Sequence, residues 1–216
     1  MTCKHCCGAD MLFDLASAEK EMKSFEKRGP GKITKRLLRK MGFVEGEGKS
    51  VLDVGGGVGA AQWHFLRKGA IQTTDVDASS GYLKVAKHYA VANGFKNQAS
   101  FIMADLIDVK DQLESHDITV LDKVICCYPD YKELLGVATE KTKEVLALSF
   151  PLAGPVGRAV ARVGALYMKW KKNPFRAYSH PPQEVHDFIE SKGFELREKG
   201  WQFPFLVRVY VRSTPL

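Results

Sequence analysis

Val51-Leu52-Asp53-Val54-Gly55-Gly56-Gly57-Val58-Gly59 is an apolar strand that ends beside a carboxylate and runs into a glycine loop. Glycine recurs at every second position (Gly55, Gly57, Gly59), and an acidic residue, Asp77, follows about one βαβ unit later. A glycine loop lets backbone approach a ligand, because no Cβ stands in the way. Strand, glycine turn, helix and downstream acid together read as a nucleotide-type binding unit. The dinucleotide fingerprint G-x-G-x-x-G is met only loosely. Counted from Gly55 its third glycine is Ala60, which the fingerprint tolerates, and counted from Gly57 it is Gln62, which it does not. The better description is acidic-x-G-x-G-x-G. A pyrophosphate wants bare N–H groups and a positive helix end, whereas Asp53 at the mouth of the loop suits a cationic ligand end.

Working outward, residues 71–77 read as a second strand. Asp77 is preferred over Asp75 as its functional acid, because it lies at the strand end, just before Ala78-Ser79-Ser80, where a helix begins. Residues 101–106, 118–127 and 144–150 read as the third to fifth strands, with crossover helices over 63–68, 81–92 and 131–143. This alternation predicts an α/β fold with a mostly parallel sheet. Ahead of it, residues 10–42 read as two helices broken at Gly29-Pro30-Gly31, with Ile33, Leu37, Leu38 and Met41 at helical spacing. Residues 154–172 read as an amphipathic helix inserted after the fifth strand. Pro181-Pro182 opens a helix that Gly193 stops. Residues 194–202 and 206–212 read as two last strands forming a hairpin.

The glycine segment resembles motif I of the class I S-adenosylmethionine-dependent methyltransferases. That resemblance implies a Rossmann-like fold: a mostly parallel seven-stranded sheet with an antiparallel C-terminal hairpin and N-terminal lid helices. It divides the chain into a lid over residues 1–46 and a methyltransferase domain over 47–216, with a helical insertion at about 153–173. The implied cofactor is S-adenosyl-L-methionine, leaving as S-adenosyl-L-homocysteine. The cofactor-binding residues it implies are Asp53, Gly55, Gly57, Gly59, Asp77, Ala78, Asp105, Leu106 and Asp122. Asp77 is placed for the ribose hydroxyls and Asp105 for the adenine amino group. The second half is similar to the magnesium-protoporphyrin IX O-methyltransferase branch. Leu121-Asp122-Lys123-Val124-Ile125-Cys126-Cys127-Tyr128-Pro129 is similar to that branch's L-D-V-L-I-H-Y-P, and Arg176-Ala177-Tyr178 with His180 to its R-A-Y-x-H. Two cysteines here replace one histidine and one residue is added, so the acceptor is open to difference.

Composition fits such an enzyme. The 216 residues are 45% hydrophobic and 26% charged, as in an ordinary globular chain. No stretch approaches the ~18 apolar residues of a membrane span. The first residues lack a signal-peptide core, and five cysteines in no secreted framework point to a reducing cytoplasm. Charge is uneven: residues 20–40 carry nine Lys/Arg against Glu21 and Glu26, which accounts for the whole net charge of +7. A second basic block runs through Arg158, Arg162, Lys169, Lys171, Lys172 and Arg176. Such blocks suit acidic small molecules, weak association with an anionic membrane surface or, as the less favoured partner, nucleic acid.

In open α/β sheets ligands bind outside the carboxyl ends of the strands. That places the acceptor near Tyr128, Arg176, Tyr178 and His180. His180 is the candidate base for a phenol, alcohol or amine, Arg176 the candidate anchor for an acidic group, and Tyr128 a candidate pocket wall. The expected reaction is methyl transfer to a small acidic or aromatic molecule, most plausibly at oxygen. Rival readings are an RNA methyltransferase, a non-catalytic cofactor-binding protein, and a thiolate-dependent metal, metalloid or thiol methyltransferase. The last rests on Cys3, His5, Cys6, Cys7, Cys126 and Cys127. It is weakened because neighbours on a regular strand point to opposite faces, and no resident metal is expected.

Overall fold

The computed structural model describes residues 10–154 and 176–213. The helix expected over 154–172 and the N-terminal cysteine cluster fall outside the described residues. The elements in chain order are α1 (Leu15–Arg28), α2 (Lys32–Lys40), β1 (Ser50–Val54), α3 (Ala60–Leu66), β2 (Gln72–Asp77), α4 (Ser80–Ala92), β3 (Ala99–Met103), β4 (His116–Asp122), α5 (Tyr131–Glu140), β5 (Thr142–Pro151), α6 (Pro182–Glu190), β6 (Phe194–Gln202) and β7 (Phe205–Arg212). They build one seven-stranded sheet in the order β3-β2-β1-β4-β5-β7-β6. The first five strands pair in parallel, and β7 pairs antiparallel with both β5 and β6. The alternating pattern predicted the mostly parallel sheet, and the seven strands with an antiparallel C-terminal hairpin are those the resemblance implied.

Alternation along the buried strands distributes side chains between two apolar layers. Val51, Ile118, Val120, Val145 and Val209 face a core shared with Ala18, Met22, Phe25, Leu37 and Met41 of the N-terminal segment and with Trp63 and Tyr89. Leu52, Val54, Leu121, Leu146 and Leu148 face the other layer, with Leu134, Leu135, Val185 and Ile189. Helices α1 and α2 are therefore anchored in the main core. Their local design is plain. Asp14 caps α1 by accepting from the Ser17 N–H at 2.8 Å, and Gly29 ends it at φ 74°. Among the described residues no helix is long and apolar enough to cross a membrane.

Two strand ends differ from the sequence expectation. The third strand was expected to run through Leu106, but β3 stops at Met103, opposite Asp77, where β2 ends and offers no further partner. The fourth was expected to reach Cys127, but β4 stops at Asp122. There Lys123 turns the chain at φ 66°, held by its N–H donating to the Ser149 carbonyl (3.1 Å) and to Ser149 Oγ (3.0 Å). A left-handed lysine persists only where its surroundings over-determine it. Ile125–Cys127 then forms a 3-10 turn. The strand-alternation argument against Cys126 and Cys127 acting together is thereby overturned, because neither lies on a strand.

Candidate active site

The carboxyl ends of β1, β2 and β4 open into one cavity of about 390 Å³. It lies where β1 is flanked by β2 on one side and β4 on the other, the topological switch point at which such sheets bind ligands. The glycine loop forms its floor. Gly55, Gly57 and Gly59 have φ of 61°, 57° and 78°, a left-handed run that L side chains rarely adopt. A Cβ at Gly55 would lie 2.8 Å from Val124, and one at Gly59 2.6 Å from the Trp63 ring. A Cβ at Gly57 would meet only ordinary contact with Tyr82, at 3.6 Å. The loop is thus packed from behind at Gly55 and Gly59, while Gly57 has room.

Four aspartates organise the site. Asp77 lines the cavity and braces the loop: its Oδ2 accepts from the Gly57 N–H at 3.1 Å and its Oδ1 from the Ser79 N–H at 2.8 Å. A carboxylate offers about four lone-pair directions, so acceptor capacity remains for a ligand. Asp75 is fully buried and does not line the cavity; it accepts from Gln62 Nε2 (3.0 Å) and the Gly56 N–H (3.2 Å). Asp122 is tied to Ser149 Oγ and Thr34 Oγ1, each at 2.5 Å, with Lys123 Nζ at 3.2 Å. Asp53 differs: it is 2% exposed, lines the cavity, and its Oδ2 has no hydrogen-bond partner among the described residues. Burial, then the charges of Asp122 and Asp77, hold its pKa well above the ordinary carboxylate value. Burial also raises Asp77, against the N–H groups of Ser79 and Gly57. The Gln62 N–H and the Lys123 charge pull the other way, and the carboxyl lies among two further acids.

The remaining predicted residues divide. Ala78, Leu106, Tyr128 and Ala177 line the cavity. Asp105 is 4% exposed and sits behind the wall, accepting from the Tyr128 hydroxyl (2.9 Å) and the Ile107 N–H (3.1 Å). His180 is also behind the wall: its Nε2 lies 3.0 Å from both the Ile125 and Tyr128 carbonyls. Carbonyls only accept, so Nε2 carries the proton and donates. Burial lowers the His180 pKa against the pull of those carbonyls. Arg176 is exposed and is not part of the wall.

Several wall residues carried no functional signal in the sequence. Phe13, Glu21, Thr34, Leu37 and Leu38 reach the cavity from the N-terminal segment, Tyr82 from α4 and Phe205 from β7. The helical spacing of Leu37 and Leu38 was visible, but which face the cavity would share was not. Tyr82 donates to Glu21 at 2.6 Å, and Ser79 Oγ to the Phe13 carbonyl at 2.6 Å, so α1 is latched onto the start of α4.

Residues 52–143 match a family model described as a methyltransferase domain. Solved structures agree at the level of fold. A magnesium protoporphyrin IX methyltransferase from Synechocystis PCC 6803, solved with bound S-adenosylhomocysteine, superposes with a TM-score of 0.67 at 20% identity, over 84% of this chain and 82% of that one. An O-methyltransferase family protein from Burkholderia thailandensis gives 0.64 at 18% identity, over 83% and 57%. An O-methyltransferase family 2 protein from Planctomyces limnophilus DSM 3776, in complex with apigenin, gives 0.64 at 17% identity, over 92% and 61%. The match covers residues 52–143, which form a methyltransferase domain, and the sheet around it has the class I methyltransferase fold. The cofactor is S-adenosylmethionine. The site fits that molecule: Asp53, Asp77 and Asp122 line the cavity and suit its ammonium group, and the bare Gly57 backbone leaves room for a ligand.

Proposed function

We propose that the enzyme methylates a small acidic molecule, aromatic or otherwise apolar in its body, at an oxygen that is already ionised. The observation that carries this reading is His180. The residue best suited to act as a base is committed through its Nε2 proton to two backbone carbonyls, outside the cavity wall. It is a clamp that fixes the 3-10 turn rather than a group that removes a proton from an acceptor. A carboxylate acceptor needs no such base. The largely apolar side chains lining the cavity suit the acceptor's body. The basic helices α1 and α2 border the cavity through Glu21, Thr34, Leu37 and Leu38, and their excess of cations would favour an anionic acceptor. In this reading residues 1–46 act as a lid on the methyltransferase unit of 47–216, and Arg176 and the basic helices attract the acceptor's anionic groups.

The cofactor supplies an electrophilic methyl group on a sulfonium centre. The chain's task is to bind, align and exclude water. Asp53 and Asp122 would face the cofactor's cationic end, Asp77 the ribose, and Ala78 and Leu106 the adenine, with Asp105 holding that wall through Tyr128. The branch likeness and the neighbouring O-methyltransferases favour oxygen over nitrogen or sulfur. Incubation with methyl-labelled S-adenosylmethionine against porphyrin carboxylates, simple aromatic acids, phenols, amines and RNA tests the reading. Label found as base-labile methyl ester on an acid supports it. Turnover confined to phenols, amines or RNA would sink it.

A further inference from the structure

We propose that Cys126 and Cys127 form a vicinal-dithiol site in the cavity wall that captures a thiophilic trivalent metalloid compound, of the arsenical or antimonial class. Both residues line the same cavity as the glycine loop and Asp77. They sit on the 3-10 turn Ile125–Cys127, not on a strand, so adjacency no longer sends them to opposite faces. Their sulfurs share one acceptor, the Lys123 carbonyl, with Cys126 Sγ at 3.3 Å and Cys127 Sγ at 3.7 Å. Both thiols are therefore on one side of the turn. Both are free.

The turn is held from three directions. Lys123 is fixed in its left-handed conformation by Ser149, the Cys126 carbonyl accepts from the Tyr178 N–H at 2.7 Å, and His180 clamps Ile125 and Tyr128. A pair of thiols on a fixed turn is preorganised for one ligand that takes two sulfurs. Among the described residues no group of three or more His, Cys, Asp or Glu could hold a metal ion. Two thiols without further ligands suit a trivalent centre whose third bond stays with its own organic substituent. With an organoarsenic(III) oxide, two As–S bonds form and the As–O bonds break. The two thiol protons leave with that oxygen as water, and nothing is oxidised or reduced.

The test is titration with phenylarsine oxide in a chain carrying Cys3→Ser, Cys6→Ser and Cys7→Ser, followed by intact mass and by thiol count. One equivalent should add with loss of one water and disappearance of two thiols. Cys126→Ser and Cys127→Ala, each checked by thermal melting, should each abolish it. Prior saturation with S-adenosylhomocysteine should slow the addition at least several-fold, because the two ligands share the cavity. An adduct that survives either substitution, or no adduct in the parent chain, overturns the proposal. Because it assumes that the cavity is the cofactor site, calorimetry with S-adenosylhomocysteine is run in parallel. Cofactor binding without an adduct sinks the dithiol site alone. An adduct without cofactor binding sinks the placement of the cofactor in this cavity.

Discussion

Asp77 carries the clearest single-residue expectation. Its carboxylate holds the Gly57 and Ser79 N–H groups and faces the cavity. Asp77→Ala removes those bonds and any to the ribose, each charge-assisted bond being worth roughly 1.5–3 kcal/mol. Calorimetry should show S-adenosylmethionine affinity falling ~100-fold or more. The raised pKa values of Asp53 and Asp77 give a pH expectation. An acid whose folded pKa exceeds its unfolded value binds more protons in the native state. Its ionisation therefore costs stability as pH rises from the ordinary 3.8 through the raised value. A cationic ligand favours the ionised form, so affinity should rise with pH across that window and binding should release protons. Calorimetry in two buffers of different ionisation enthalpy measures the release. Flat affinity with no proton release would show that these acids do not meet the cofactor's charge. That Asp77 rather than Asp75 lines the cavity was readable from its place at the strand end. The isolation of the Asp53 oxygen was not, because it depends on where Asp122, Thr34 and Ser149 pair among themselves.

At the scale of elements, the glycine loop and the turn after β4 are one interlocked unit, since Val124 packs against Gly55. Glycines of the same motif should respond differently. Gly59→Ala strains an αL position and drives a Cβ into Trp63, so it should lower the unfolding free energy by about 1–3 kcal/mol, read from denaturant melts. Gly57→Ala meets only Tyr82 at ordinary contact, so it should cost less stability yet weaken cofactor binding about tenfold or more. His180 tests the clamp. His180→Gln can still donate to a carbonyl and should keep more stability than His180→Ala, which removes the donor that the Ile125 and Tyr128 carbonyls share, a loss of roughly 1–3 kcal/mol. Neither change should remove a titration near neutral pH from the kcat/KM profile. If one does, His180 is the base after all. The strand-four segment misled the sequence reading because Lys123, an ordinary residue for a strand end, takes a left-handed turn that Ser149 on the neighbouring strand holds.

At the scale of the whole molecule, charge and layering act together. The basic helices α1 and α2 bury Ala18, Met22, Phe25, Leu37 and Leu38 in the core and leave most of their cations exposed, while Thr34, Leu37 and Leu38 of α2 reach the cavity. Raising ionic strength screens those cations, with a Debye length of ~10 Å at 0.1 M salt. The KM for an anionic acceptor should therefore climb several-fold between low and high salt. S-adenosylhomocysteine affinity, set by buried groups, should change little. Equal salt sensitivity of both would place the cationic surface outside the acceptor's path.

The chain's own pattern determined the order of strands and helices, the glycine loop, its acidic partners and the class of cofactor. Those features are local: they follow from side-chain period, from backbone freedom at glycine and from residues within one βαβ unit. The tertiary structure alone decided which of these groups share a cavity and which are spent elsewhere. Asp105 and His180 have the right chemistry for a site but are occupied by Tyr128 and by two carbonyls. Phe13, Thr34 and Phe205, which carry no motif, form part of the wall. Hydrogen-bond partners and cavity walls are set by residues far apart in sequence, and a linear pattern does not encode which of them meet.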